Sequence, residues 1–210
     1  MSMLWMRMPG ETWPGAAASF LGMWLAMMVP MMVPTIAPVL WRYWRAVGLR
    51  TLFVAAGYFV VWGAIGVAVY PLGVALASVE MGYPALARVA PFAVALVVCV
   101  AGAWQLTRWK AHSLACCRQA LDMGDGEPRL DAYEAWRRGL RLGIHCARCC
   151  GNLMAILLAL GMTDVRAMVI VGTAIAVERV APMGERIARV TGLIAVGGGM
   201  ALIARAAGLG

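Results

Sequence analysis

Two stretches without a single charged side chain set the terms for any fold this chain can adopt. Thr51–Leu72 runs for 22 residues and Val89–Thr107 for 19. About 20 apolar residues of helix cross the hydrocarbon core of a bilayer. A third stretch, Ala16–Leu40, has 25 residues and no charge. In lipid the backbone must satisfy its own hydrogen bonds, which leaves helices and closed barrels. Uninterrupted apolar runs of this length are helical, because barrel strands are shorter and alternate. The expected fold class is therefore all-α, a polytopic membrane helix bundle. Composition agrees, with 63% hydrophobic and 13% charged residues. A soluble domain is nearer half and a quarter, and 210 residues build no core large enough to hide the surplus.

Six spans are expected: Ala16–Leu40, Thr51–Leu72, Val89–Thr107, Leu142–Met162, Val165–Ala181 and Ile187–Ala204. The last two have short uncharged cores, so five spans is the alternative. The whole chain, 1–210, reads as one transmembrane helical domain with a hydrophilic loop at about 108–141. Within that loop, Met123–Pro128 is turn-rich and Asp131–Arg141 reads as a polar helical piece. The first apolar run starts late, is long and carries three prolines, so it reads as a span and not as a cleaved signal. Dense small residues near the C-terminus (Gly192, Gly197, Gly198, Gly199, Ala201) suit close helix packing.

The formal charge of +8 does not point to nucleic acid. The chain has one lysine, Lys110, and its arginines are scattered through short connections. That distribution suits topology signals and anionic headgroups. Three connections hold 13 Lys and Arg residues, including Lys110 and Arg179, whereas the opposite side holds four. This bias places the three basic loops in the cytoplasm and both termini outside.

The first span is rich in methionine and proline. Pro30, Pro34 and Pro38 recur every four residues. Each removes the amide that would bond to the carbonyl four residues earlier. The carbonyls of Ala26, Pro30 and Pro34 then share one face, which is expected to meet protein, water or a ligand. Met23, Met27 and Met31 form a stripe at helical spacing, flanked by Met28 and Met32. Methionine often fills gaps in a core, but thioethers are also soft donors suited to Cu(I).

Five of the six cysteines fall in two clusters. One reads His112-Ser-Leu-Ala-Cys116-Cys117-Arg118. The other reads His145-Cys146-Ala-Arg-Cys149-Cys150-Gly-Asn152. On a helix, Cys146, Cys149 and Cys150 share a face, with His145 one turn before Cys149. Thiolates and imidazole are ligands for zinc, Cu(I) and other soft ions. Thiols grouped at a cytoplasmic surface are metal-binding or redox-active more readily than disulfide-bonded. Glu178 stands near the end of a span, where a carboxylate has a partner or a role. Arg148 is a candidate partner, and metal ligation or proton carriage is the functional reading.

These motifs together resemble the bacterial family of predicted metal-binding integral membrane proteins, the domain of unknown function 2182. The resemblance rests on Met23-Trp24-Leu-Ala26-Met27-Met28-Val-Pro30, on Lys110 followed by Cys116-Cys117-Arg118, and on Gly143-Ile-His-Cys146-Ala-Arg-Cys149-Cys150. It extends to Glu178, Pro182 and Gly184. One position departs, because the family's first cysteine in the second motif falls at Leu114. The resemblance implies metal binding by a protein of the bacterial inner (plasma) membrane.

The function expected is binding of a soft transition metal, copper before zinc, for handling or delivery. The candidate ligands are Cys146, Cys149, Cys150, His145, Cys117, Cys116, Glu178, Met27, Met28 and Met31. The alternatives are an accessory or assembly subunit of a membrane metalloenzyme and a membrane thiol oxidoreductase. Lipid and helical membrane partners, or further copies of the chain, are the expected partners. The sequence holds no Ser-His-Asp arrangement and no phosphate-binding loop.

Overall fold

The computed structural model describes residues 12–121, 131–162 and 164–208. The Met123–Pro128 stretch lies outside the described residues. Those residues form seven α helices and no strand: α1 (Trp13–Val47), α2 (Thr51–Gly82), α3 (Pro84–Gln105), α4 (Arg108–Leu121), α5 (Ala132–Leu160), α6 (Val165–Val180) and α7 (Gly184–Ala206).

Among the described residues, four helical stretches are long and apolar enough to cross a membrane: Trp13–Gly82, Arg88–Gln105, Ala132–Leu160 and Gly184–Ala206. The first contains both α1 and α2. Its 70 residues would reach about 105 Å if straight, at about 1.5 Å per residue. A 3₁₀ turn at Gly48–Arg50 divides it. Gly48 sits at φ +58, a backbone conformation that side chains with a Cβ rarely adopt. There α2 folds back along α1, and the Trp24 indole N–H donates to the Trp62 carbonyl at 2.9 Å. The expected span Val165–Ala181 corresponds to α6, which is only 16 residues long.

Small residues set the two closest pairings, α2 with α5 and α3 with α7. A Cβ on Gly139 would fall on the Val54 carbonyl, and one on Gly57 would come within 2.5 Å of the Trp136 carbonyl oxygen. Between α3 and α7, Gly192 faces Gly102 in the same way. Gly199 is buried there too, whereas Gly197 and Gly198 face open space. Outside the pairings the helices turn Val29, Leu72, Val97, Val100, Leu193 and Ile194 outward.

Asp131–Arg141 is not a separate piece but the start of α5, which runs unbroken for 29 residues. Its polar residues occupy one side, while Ala135, Gly139 and Leu142 are buried on the other. The same helix face, continued, carries Cys146, Cys149 and Cys150 inward. The amphipathic α4 presses Leu114 and Cys117 against Cys149.

The turn from α6 to α7 is braced by Arg118. Its Nε donates to the Arg179 carbonyl at 3.2 Å and its Nη1 to the Pro182 carbonyl at 3.3 Å. Gly184 closes the turn, because a Cβ there would fall on the Glu178 carbonyl. This bracing fixes the last turn of α6, where Glu178 and Arg179 point into the bundle.

Candidate metal centre

Cys146 is the hub of the buried polar structure. Its Sγ lies 3.7 Å from Cys150 Sγ and 3.8 Å from Met32 Sδ. The Tyr58 hydroxyl, from α2, donates to it at 3.0 Å. Arg179 Nη1, from α6, donates to it at 2.9 Å. Helices α1, α2, α5 and α6 thus each bring one group to this sulfur. Met32, Cys146 and Cys150 are all at most 1% exposed.

Local sequence explains the arrangement. The four-residue step from Cys146 to Cys150 stacks their side chains one turn apart. Cys150 Sγ also donates to the Cys146 carbonyl at 3.0 Å. Thr35 donates to the Met32 carbonyl at 2.7 Å, which occupies the carbonyl beside the methionine and presents the Thr35 oxygen to Arg179.

Arg179 links this group to a second one. Its Nη1 donates to Thr35 Oγ1 at 2.9 Å as well as to Cys146, and its Nη2 donates to Cys117 Sγ at 3.1 Å. Cys117 lies with Cys149 and Leu114 in a separate buried cluster. The hydrogen bond to Cys149 pushes the Cys117 thiol well above its usual range, and burial adds to this; Arg179 pulls the other way. All six cysteines are free.

The structure corrects several sequence expectations. Glu178 is not paired with Arg148, which is exposed. Lys110 Nζ holds its Oε2 at 2.9 Å, and Gln105 Nε2 donates to its Oε1 at 2.7 Å. Lys110 also donates to the Cys149 carbonyl at 2.6 Å. Lys110 and Arg179, both counted as loop charges, are 1% and 4% exposed and belong to the interior. A long apolar stem lets a basic residue reach inward from a helix end, and sequence position alone does not reveal that.

Of the expected methionine stripe only Met31 is buried, and the flanking Met28 and Met32 are buried with it. Met23 and Met27 are half-buried. Met32, not Met27, reaches the cysteines. The proline face turns away from the bundle, with Ala26, Pro30, Pro34 and Pro38 all exposed. His145 is half-buried and makes no polar contact among the described residues. Cys116 is half-buried at the surface, 3.5 Å from His112 Nε2. Among the described residues, no three His, Cys, Asp or Glu side chains gather closely enough to hold a metal ion by themselves. The close sulfur group is completed by a methionine.

Sequence reasoning missed Tyr58, Thr35 and the inward role of Arg179. Only Arg179 left a signal, as a basic residue directly after the buried Glu178.

Fold and site together define an all-helical protein with a buried sulfur centre gripped by one arginine. The family of copper chaperones designated PpoB2 matches residues 21–202, and the chain belongs to that family. Neither a curated protein nor a solved structure matches it.

Proposed function

We propose that this copper chaperone is embedded in the membrane and carries Cu(I) on Cys146, Cys150 and Met32. The observation that carries the reading is the spacing around Cys146, 3.7 Å to Cys150 and 3.8 Å to Met32. With metal–sulfur bonds of about 2.3 Å, two sulfurs on one ion stand about 3.8 Å apart at a tetrahedral angle and about 4.6 Å apart in line. Both distances from Cys146 are close to the tetrahedral spacing. Two thiolates and a thioether are a soft set, which favours Cu(I). Zinc has less use for the thioether, so it is the weaker candidate.

The membrane setting rests on the length of the apolar helices and on the side chains they turn outward. The remaining Lys and Arg residues on the α4 side, such as Arg137, Arg138 and Arg141 near the start of α5, support a cytoplasmic position for that side of the bundle. His112 and Cys116, one turn apart on α4, offer a first contact for incoming copper, and Cys116 adjoins buried Cys117 in the chain. Cys117 and Cys149 lie across Arg179 from Cys146 and form a second sulfur pair on the way inward. The outward prolines of α1 leave backbone carbonyls short of helical donors. That face suits a neighbouring helix, from a recipient enzyme or from a second copy.

The test uses the full chain, purified in detergent under reducing conditions and titrated with Cu(I) against a chromophoric chelator. One tightly held ion with an all-sulfur shell in X-ray absorption is expected. Cys146→Ser with Cys150→Ser should remove it, and Cys99→Ser should not. An unchanged ion in the double variant, or a shell of oxygen and nitrogen, overturns the assignment.

A further inference from the structure

The charges buried beside the sulfur centre do not cancel. Glu178 and Lys110 neutralise one another at 2.9 Å. That leaves Arg179, 4% exposed, with no carboxylate against it among the described residues. Its four-atom head donates only to two sulfurs and one hydroxyl, and its Nε has no partner. Arginine keeps its charge in any protein setting, and a buried charge is costly unless something compensates it. A carboxylate would have been the simplest partner. Here the partner is sulfur.

We infer that Arg179 is the counter-ion of the loaded site and sets its preference for a monovalent metal ion. The inference rests on the Cys146–Cys150–Met32 assignment above. Cysteine binds metal as thiolate, and methionine contributes no charge. Cu(I) on two thiolates therefore carries a net charge of −1, and Arg179 brings the buried complex to zero. Zn(II) on the same donors is already neutral, so Arg179 leaves it at +1 in an apolar interior. One fixed cation thus favours the monovalent ion and disfavours the divalent one. Arg179 touches the hub sulfur directly at 2.9 Å, where water screens little. The Arg118 brace on the Arg179 carbonyl holds that turn of α6 in place.

The experiment compares wild type, Arg179→Lys and Arg179→Gln, each as full chain in detergent. Cu(I) and Zn(II) affinities are measured separately by chelator competition. Arg179→Gln should weaken Cu(I) on the order of a hundredfold, as loss of a contact charge at an intermediate effective dielectric implies. It should strengthen Zn(II). Arg179→Lys keeps the charge and should keep the order of preference, with Cu(I) within about tenfold of wild type. A merely structural arginine would weaken both ions together. Parallel loss of both ions in Arg179→Gln, or unchanged affinities for both, overturns the inference. So does a reversed preference in Arg179→Lys, which also serves if the glutamine variant fails to fold. Failure of the site assignment is read separately, because only then does the Cys146→Ser, Cys150→Ser variant still hold copper.

Discussion

Lys110 and Glu178 form an ion pair at 2.9 Å in which both side chains are 2% exposed. Gln105 donates to the free carboxylate oxygen, so Glu178 is fully engaged by α3 and α4. The pair sits one residue from Arg179 and removes the nearest carboxylate from its reach. It therefore ties the last turn of α6 to α3 and α4 beside the sulfur group. Glu178→Gln strands the lysine charge inside the bundle. Breaking a buried pair from one side costs roughly 3–5 kcal/mol. Unfolding in detergent should show that loss, while the double change Lys110→Met with Glu178→Leu should recover much of it. The folded fraction of Glu178→Gln should still bind one Cu(I), which a copper titration on the monodisperse protein checks.

Met32 and Met27 offer a clean contrast. Both lie on α1, but only Met32 meets Cys146, at 3.8 Å. Leucine has nearly the volume of methionine, and such exchanges usually cost under about 1.5 kcal/mol. Met32→Leu should therefore fold normally and hold Cu(I) more weakly than wild type, because one soft donor of three is removed. Met27→Leu should change neither. Equal copper affinity in the two variants would remove methionine from the site.

The helices were legible in the sequence because a charge-free run of membrane length admits few other structures. The shared face of Cys146, Cys149 and Cys150 was legible for a similar reason, since helical spacing alone fixes it. The boundary of α5 was hidden. Asp131–Arg141 looks polar in sequence, but its small residues dock closely on α2, so the helix continues through it. The grip of Arg179 on Cys117 and Cys146 spans 62 and 33 residues of chain. No local pattern encodes such distances, and a count of basic residues assigns Arg179 to a loop. The shift from Met27 to Met32 is a question of helix rotation, which depends on what packs against α1.

Gly139 tests the packing that brings α5 against α2. A Cβ there would meet the backbone carbonyl of Val54, and backbone cannot swing aside. Gly139→Ala should cost about 1–3 kcal/mol, as overpacking typically does. It should also loosen the Tyr58 contact with Cys146, because both helices carry that pair. Gly198→Ala, on the open side of α7, should be neutral or gain up to about 1 kcal/mol from helix propensity. Thermal unfolding of the two variants side by side decides whether contact, and not glycine content, matters.

Tyr58 separates donation to the sulfur from the shape of the pocket. Its hydroxyl donates to Cys146 Sγ at 3.0 Å, and the ring is buried. Tyr58→Phe keeps the ring and removes one donor. A typical net hydrogen bond contributes about 1 kcal/mol, somewhat more when the acceptor is charged. Apo stability should fall by about that amount. Cu(I) affinity should fall about fivefold, because the bond to a charged, metal-bound thiolate is stronger than the apo bond by roughly 1 kcal/mol, and only that difference enters the affinity. Trp62→Phe is the control of similar burial, because the Trp62 Nε1 has no partner to lose. Chelator competition on both variants reads the difference. Tighter copper binding in Tyr58→Phe would mean that the phenol competes with the metal for the sulfur instead of supporting it.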